Sequence, residues 1–284
     1  MPFHAIHGTF HATGFSPDGD SIKFQAADSD KWKLLEGPAV SLTKEGMAQL
    51  RLEGIDALET HYRAGTKNWH QPQALACAAT DRLLELVGIR NVVWTPSHYS
   101  VKSSDDGTPG YILSRTTERY RRPVAFAFAG KCPFADGAEV RFTTKQLRRS
   151  LNYKLLDEGH AYPTFYSGLF YDLRDAFSRA AQNARRRKRG VWKTDRSGNL
   201  KISDPTDPTL VTDSAPIFPK LFRRLMTHFA ATGTFDGFAD NLLERRETTV
   251  LISKYHFTHF DNVIEQQPGS LQVAEPLHDL LFIG

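Results

Sequence analysis

Cysteine is scarce in this chain. Only Cys77 and Cys132 occur in 284 residues, and they lie far apart in the sequence. Two unclustered cysteines form neither a disulfide framework nor a zinc site. The sequence therefore excludes a small domain stabilised by disulfide bonds or by structural zinc. We expect two reduced thiols that are mostly buried.

Long hydrophobic runs are also missing. No stretch approaches the length of a membrane-spanning helix, and the opening residues, MPFHAIHGTF, lack a charged segment followed by an apolar one. We therefore expect no signal peptide, no membrane partner and a soluble, cytoplasmic protein. No internal repeat is visible, and nothing in the sequence indicates an oligomeric state.

The composition is that of a folded protein with a sizeable core. Hydrophobic residues make up 40% of the chain and charged residues 24%, and 19 phenylalanines supply large apolar side chains. The formal net charge is +4, and basic residues concentrate at 119–122 (RYRR) and 185–190 (RRRKRG). A polyanionic partner suits these runs, although a solvated helix end explains either of them alone.

The hydrophobic pattern predicts strands, then helices mixed with strands. Alternating stretches predict strands in HAIHGTFHATGF, SIKFQAA and MAQLRLEGI, and a hairpin in YILSRTTERYRRPVAFAFAG. Apolar residues at helical spacing predict three helices, in QPQALACAATDRLLELVG, TKQLRRSLNYKLLDEGHA and DLRDAFSRAAQNARRRKRGVW.

The pattern changes after Trp192. Residues 193–219 are rich in Asp, Thr, Ser and Pro and have no sustained period, which is typical of an extended connection. KLFRRLMTHFAATG predicts a short amphipathic helix, and TTVLISKYHFTHF and LQVAEPL are consistent with strands or an ordered tail. The sequence therefore predicts one domain at 1–192 and a C-terminal extension at 193–284 whose role it does not indicate.

Three carboxylates border predicted strands. Asp20 ends the turn sequence PDGD, whereas Asp56 and Glu59 follow the strand that carries Arg51. Hard divalent cations prefer several oxygen ligands, so Asp20 and Asp56 suit a metal site and Glu59 suits activation of a water. The alternative is structural, because PDGD is a strong β-turn sequence and Asp56 and Glu59 are suitable caps. The structural alternative does not account for Arg51.

Five short motifs, in this order, resemble the staphylococcal (micrococcal) nuclease family, also called thermonuclease-like. They are FSPDGDSIKF, QLRLEGIDALE, ERYRRPVAFAF, LNYKLLDEGHA and a basic helix that ends in RGVW. The resemblance covers about residues 5–192. It implies an α+β fold in which a five-stranded β-barrel of the OB type carries about three packed helices, with residues 193–284 as an addition.

The resemblance also implies an activity. Members of this family are calcium-dependent hydrolases that cleave phosphodiester bonds in DNA and RNA, as endonucleases and exonucleases, and leave 3′-phosphate ends. We therefore expect Ca²⁺ as the cofactor and DNA or RNA as the partner. Mg²⁺ and Mn²⁺ also suit a site made of oxygen ligands.

The resemblance assigns a metal site by position. Asp20 and Asp56 match the family's metal carboxylates, and Ala57 matches the residue that offers its backbone carbonyl. Asp18 matches an acidic neighbour of the metal.

It assigns the catalytic groups in the same way. Glu59 matches the proposed general base, Arg51 the strand arginine that binds phosphate, and Arg122 the second catalytic arginine. Tyr120 matches a tyrosine that contacts the nucleotide.

The sequence departs from the family pattern at three places. Leu58 stands where the family usually has proline. Arg122 lies between Arg121 and Pro123 where glycine is usual, so the choice between Arg121 and Arg122 stays open. Phe165 falls near a second substrate tyrosine, where a phenylalanine is able to stack on a base but lacks the hydroxyl.

Two other functions compete with an active nuclease. The first is a catalytically weak or inactive OB-fold module that binds nucleic acid or protein, and Leu58 and the crowded Arg122 favour it. In the second, residues 193–284 carry the main role as a partner-binding or oligomerising arm.

Overall fold

The computed structural model describes residues 2–283 and shows an α+β protein. The chain forms two compact units. Unit one contains the residues up to Glu53 together with Ala78–Leu155, and unit two contains Gly54–Cys77 together with the residues from Leu156 onward. Residues on both sides of position 192 therefore belong to unit two, and the expected domain boundary at that position stays a prediction.

Strands and helices occur throughout residues 2–283. The strands are β1 Phe3–His11, β2 Lys23–Ala26, β3 Met47–Gln49, β4 Arg51–Leu52, β5 Ile55–Ala57, β6 Tyr62–Ala64, β7 Lys67–Trp69, β8 Arg90–Trp94, β9 Val101–Asp105, β10 Thr108–Thr117, β11 Pro123–Ala129, β12 Glu139–Val140, β13 Ala161–Pro163, β14 Phe165–Tyr166, β15 Leu200–Lys201, β16 Thr248–Leu251, β17 His256–His259, β18 Ile264–Gln267, β19 Ser270–Val273 and β20 Leu280–Phe282. The helices are α1 Gln73–Val87, α2 Thr144–Leu147, α3 Leu151–Glu158, α4 Tyr171–Arg186, α5 Pro219–Thr232 and α6 Phe238–Arg245.

The first and third predicted helices are confirmed as α1 and α4. The second is interrupted and forms α2 and α3. Ser150 explains the interruption, because its hydroxyl donates to the carbonyl of Leu147 at 2.7 Å and accepts from the N–H of Tyr153 at 3.1 Å. A serine in this position acts as an N-cap and starts a new helix.

Unit one is built around a curled sheet. Its strand order is β3-β2-β1-β10-β11-β4, and β12 pairs with β1. The neighbouring segments β3 and β4 lie at opposite ends of this order, because β3 pairs antiparallel with β2 and β4 pairs parallel with β11. The α+β class is confirmed and the sheet is a curled half-barrel, whereas the closed five-stranded barrel stays a prediction.

The predicted faces of the MAQLRLEGI strand are confirmed. Ala48, Leu50 and Leu52 are completely buried, whereas Arg51 on the opposite face is half-buried. A strand with this period places every second side chain in the core. Arg51 is therefore available to the other side of the sheet.

Unit two has its own core, to which the last third of the chain contributes. Strand β14 pairs parallel with β20, which in turn pairs with β16. Tyr162 and Trp192 share one hydrophobic cluster with Phe218 and Phe282. Residues after 192 are thus an integral part of this unit.

Helix α5 confirms the predicted amphipathic segment. Its buried face consists of Leu221, Phe222, Leu225 and Met226, each completely buried. Burying a side chain of this size stabilises the fold by roughly 2 kcal/mol, so this face anchors the helix. Helix α6 was not predicted.

No helix within residues 2–283 is long and apolar enough to span a membrane. Cys77 and Cys132 form no disulfide bond, and each is of intermediate burial, which agrees with the expectation of reduced, mostly buried thiols.

Candidate active site

Asp56 lies at the centre of β5, in unit two. Strand β5 pairs antiparallel with β13, and Asp56 lies opposite Tyr162. Only 1% of the Asp56 side chain is exposed. Because an isolated charge in a protein interior is strongly unfavourable, a carboxylate buried to this extent needs a cationic partner.

The chain enters β5 through a tight turn. Gly54 has a φ angle of +80°, and a Cβ atom there would lie 2.5 Å from the ring of Phe177. Glycine is therefore required at this position. Leu58, on the other side of Asp56, is completely buried in the core of unit two, which gives a packing reason for an apolar side chain there.

Gln71 holds the backbone of Glu59. The Glu59 N–H donates to Oε1 of Gln71 at 3.2 Å, and the Gln71 N–H donates to the Glu59 carbonyl at 2.9 Å. The side-chain amide of Gln71 also donates to the carbonyl of Ile217 at 2.7 Å. Gln71 is completely buried, so it ties Glu59 rigidly to the segment that precedes α5. The sequence offered no signal for this role.

Arg223 on α5 binds both acids. Its two terminal nitrogens donate to the two oxygens of Asp56 at 3.0 and 2.6 Å, which is the bidentate geometry that makes such pairs strong. The nitrogen that contacts Oδ1 of Asp56 also donates to Oε1 of Glu59. One guanidinium therefore closes the acidic pair, defined here as Asp56 and Glu59.

The charges of the acidic pair hold Arg223 in its protonated form. Burial by itself lowers the pKa of Arg223, but the charges of Asp56 and Glu59 and their hydrogen bonds raise it well above its ordinary value. The contact is therefore an ion pair throughout the range in which both carboxylates are ionised.

Two more cationic side chains of α5, Lys220 and Arg224, contact a different carboxylate, that of Glu247. Arg224 donates to both oxygens of Glu247, and the ammonium of Lys220 lies 3.7 Å from the same carboxylate. Burial alone raises the pKa of Glu247, but its hydrogen bond to Arg224 and the nearby cations hold it below its ordinary value. Helix α5 thus presents a row of cations, each matched to a carboxylate of unit two.

The acidic pair does not fit a divalent cation in this conformation. Both oxygens of Asp56 and one oxygen of Glu59 accept hydrogen bonds from Arg223. Ala57, the expected carbonyl ligand, is nearly buried on β5 and pairs with Ala161. Within residues 2–283, no cluster of three or more His, Cys, Asp or Glu side chains is arranged to hold a metal.

The other expected metal ligands lie in unit one. Asp18 and Asp20 belong to the predicted turn, in which the Asp18 N–H and the Ser21 carbonyl are bonded at 3.1 Å. The N–H of Leu52 donates to the carbonyl of Asp20 at 2.9 Å. The structure therefore brings the backbone of Asp20 next to the strand that carries Arg51.

The ERYRRP motif forms an exposed turn in unit one. Arg122 donates from Nε to Glu118 at 3.0 Å, and its guanidinium lies 5.8 Å from the ring centre of Tyr120, whose side chain is exposed. Arg121 has a φ angle of +65° and donates from Nε to the carbonyl of Ala39 at 2.8 Å. Arg121 and Arg122 therefore have different partners, and the choice of catalytic arginine stays a prediction.

Phe165 has a packing role in this structure. It is completely buried on β14, and its ring stacks on that of Phe177 with centres 6.4 Å apart. A ring in this position presents no face to a nucleotide, which corrects the expectation that Phe165 stacks on a base.

The basic run at the end of α4 is largely exposed. Arg185, Arg186, Arg187 and Lys188 are exposed, whereas Arg189 donates to the carboxylate of Asp157 at 2.8 Å. This arrangement is compatible with a polyanionic partner and equally with a solvated helix end.

Comparison of the chain with known proteins adds no assignment. No protein-family model matches the sequence, and no curated protein matches it significantly. The nuclease resemblance therefore stays a prediction from the five motifs.

Proposed function

We propose that this chain hydrolyses phosphodiester bonds in DNA or RNA, and that the acidic pair is the centre of the reaction. The observation that carries the proposal is the convergence of two carboxylates, three residues apart, on one cationic group. The five nuclease-like motifs support it. So does the curled sheet of unit one, which is compatible with the proposed closed five-stranded OB barrel.

Glu59 is the proposed general base. Its side chain is 13% exposed, compared with 1% for Asp56, so it is the acid of the pair that water reaches. Glu59 accepts a proton from a water molecule, whose oxygen bonds to phosphorus while the bond to the 5′ oxygen breaks, and the leaving 5′ oxygen takes up a proton from solvent. The products are a 3′-phosphate and a 5′-hydroxyl. Because Arg223 binds Glu59, the base acts only after this contact opens.

The roles of the remaining groups follow the resemblance. Arg51 and Arg122 of unit one are proposed to neutralise charge on the phosphoryl oxygens. Ca²⁺ is the proposed cofactor, with Mg²⁺ or Mn²⁺ as substitutes.

A cleavage assay with a matched pair of variants tests the proposal. Three purified proteins are compared: wild type, Glu59→Gln and Glu244→Gln. Each is incubated with single-stranded DNA, double-stranded DNA or RNA, in the presence of calcium, magnesium, manganese or a chelator. Glu244 is an exposed glutamate on α6 and serves as the control. We expect a loss of about 100-fold or more in rate for Glu59→Gln, the typical contribution of a general base, and none for the control. A Glu59→Gln rate equal to that of wild type would remove Glu59 from the mechanism.

The second candidate is a binding module without catalysis. The observation that favours it is the same ion pair, because Arg223 neutralises the group that must act as the base. This function predicts that wild type and Glu59→Gln shift DNA or RNA equally in a mobility-shift assay, with no cleavage in any metal. Loss of the shift after combined Arg185→Glu and Arg186→Glu substitution would place the nucleic acid on the exposed end of α4.

A further inference from the structure

Strand β1 carries polar side chains on the face opposite the core of unit one. Phe10 is completely buried, and its neighbours Thr9 and His11 lie on the other face, because side chains alternate along a strand. Thr9 and His11 are two positions apart on that face. The hydroxyl of Thr9 lies 2.8 Å from Nε2 of His11, so the two side chains are hydrogen-bonded.

Asp106, in the turn between β9 and β10, orients the ring of His11. Its Oδ2 lies 3.0 Å from Nδ1 of His11, and its Oδ1 accepts from the N–H groups of Ala12 and Thr13 at 2.6 and 3.3 Å. An ionised carboxylate only accepts hydrogen bonds, so it holds the ring hydrogen on Nδ1. Nε2 then keeps its lone pair, and the hydroxyl of Thr9 donates to it.

The turn that carries Asp106 is bonded to β1. Gly107 has a φ angle of +74°, which favours glycine, and its N–H donates to the carbonyl of Phe10 at 3.1 Å. The side chains of His11 and Asp106 are 13% and 24% exposed, so their contact is largely shielded from water. Hydroxyl, imidazole and carboxylate therefore form one ordered chain of hydrogen bonds within unit one.

Thr9 also lines a cleft of unit one. The cleft has a volume of about 520 Å³, which is in the range of sites for small molecules. Its lining is mixed in polarity and includes His7, Gln25, Pro109, Lys131 and Cys132. Lys131 is exposed and brings a positive charge to the cleft. The nucleophilic end of the hydrogen-bonded chain is thus accessible to a small ligand.

We propose that Thr9, His11 and Asp106 form a triad that hydrolyses a small carboxylic ester bound in this cleft. A hydroxyl becomes a nucleophile at neutral pH when an adjacent base, itself oriented by a third group, takes its proton. Thr9 is the nucleophile, His11 the base and Asp106 the positioning residue. None of the three has a role in the proposed nuclease reaction, so the two activities are independent.

The reaction has two steps. In the first, Oγ of Thr9 bonds to the acyl carbon while its proton passes to Nε2 of His11, the bond from the acyl carbon to the alcohol oxygen breaks, and His11 returns the proton to that oxygen. In the second, His11 takes a proton from water, the water oxygen bonds to the acyl carbon, and Oγ leaves with the proton from His11. Lys131 supplies positive charge for the oxyanion of each step.

Hydrolysis of p-nitrophenyl acetate in chelator tests the triad. The proteins are wild type, Thr9→Val, Thr9→Ser and Ser103→Ala, the last as a control at an exposed hydroxyl of β9. Valine keeps the branched shape of threonine and removes only the hydroxyl. We expect Thr9→Val to release p-nitrophenol at least about 100-fold more slowly than wild type, and Thr9→Ser and Ser103→Ala to stay active. Mass spectrometry after an acid quench should place the acetyl group on Thr9.

Three results would overturn the inference. They are a wild-type rate no higher than that of buffer, a Thr9→Val rate equal to that of wild type, and an acetyl group on Lys131 or Cys132 instead of Thr9. If Thr9→Val does not fold, the activity of Thr9→Ser and the position of the acetyl group in wild type decide the matter. Cleavage of DNA or RNA without ester hydrolysis would reject the triad and leave the nuclease proposal intact.

Asp106→Asn tests the positioning role separately. An asparagine is able to donate to Nδ1 of His11 and so favours the wrong tautomer of the ring. We expect kcat to fall at least about tenfold while KM stays within about twofold, because Asp106 acts on His11 and not on the ester. An unchanged kcat would remove Asp106 from the triad.

Discussion

Two arginine–carboxylate contacts in this protein have the same chemistry and opposite surroundings. In unit two, Arg223 forms a bidentate contact with Asp56, whose side chain is 1% exposed. In unit one, the guanidinium of Arg122 donates one hydrogen bond to Glu118, from Nε, and the two side chains are 30% and 20% exposed. Each contact includes a residue that is assigned to the proposed nuclease site. Only in the contact between Arg223 and Asp56 is the carboxylate shielded from water.

The difference shows how burial sets the cost of breaking an ion pair. An exposed pair exchanges its partner for water and typically contributes about 0 to 1 kcal/mol. A buried carboxylate has no such substitute, so the loss of its cation leaves an uncompensated charge.

The largest expected effect is on the stability of unit two. Replacing Arg223 by methionine removes the cation and leaves Asp56 charged and buried, so we expect a loss of about 3 to 5 kcal/mol in the free energy of unfolding. Urea denaturation in chelator measures it. Adding Asp56→Asn to this variant should recover much of the loss, because the uncompensated charge is then gone. A loss no larger than that of Arg122→Met would mean that burial does not separate the two contacts.

An intermediate effect concerns Lys220, a neighbour of Arg223 on α5. Burial lowers the pKa of Lys220 to about 8, although Glu247 acts in the opposite direction, and its ammonium lies 4.2 Å from the ring centre of Phe282. Lys220 therefore loses its proton at a lower pH in the folded protein than in the unfolded chain. As a result, the contribution of Lys220 to the free energy of unfolding rises with pH between about 8 and 10. The expected gain is about 2 kcal/mol. Above pH 10 the trend reverses, since burial and Asp195 raise the pKa of Tyr162 well above its usual value.

Unfolding measured at a series of pH values checks this expectation. Lys220→Met should flatten the curve between pH 8 and 10, whereas Lys254→Met, at an exposed lysine, should leave it unchanged. A wild-type curve that falls steadily from pH 8 to 10 would show that Lys220 remains protonated in the folded protein.

The smallest expected effect is at the exposed contact of unit one. Glu118→Gln removes the partner of Arg122, and we expect a change of about 0.5 kcal/mol that salt reduces further. Denaturation at low and high ionic strength measures it. A loss above about 2 kcal/mol would show that the ERYRRP turn depends on this pair for its fold, and the contrast with Arg223 would disappear.

Local patterns were enough to predict the regular elements. The helical spacing in residues 72–88 and the alternation of Ala48, Leu50 and Leu52 each point to one structure, and both predictions are confirmed. The break between α2 and α3 was missed because the apolar period continues through it. It depends on two hydrogen bonds of the Ser150 hydroxyl, which the hydrophobic pattern does not reveal.

The last third was harder to predict for a different reason. Its strands are short and its pairings are distant, as when β14 at 165–166 pairs with β20 at 280–282. Such pairings depend on which apolar faces meet in the core, and a local window contains no information about a partner more than 100 residues away.

The sequence by itself determined that Asp56 and Glu59 lie three positions apart and shortly after Arg51, whereas their expected place after the arginine-bearing strand is corrected, because Asp56 lies at the centre of a separate strand, β5. It also determined that α1, α4 and α5 are helices, since hydrophobic periodicity is local as well. Only the tertiary structure decided which cation the acids bind. Arg223 is 167 positions from Asp56 and 164 from Glu59, and it reaches them because the core of unit two holds α5 beside β5.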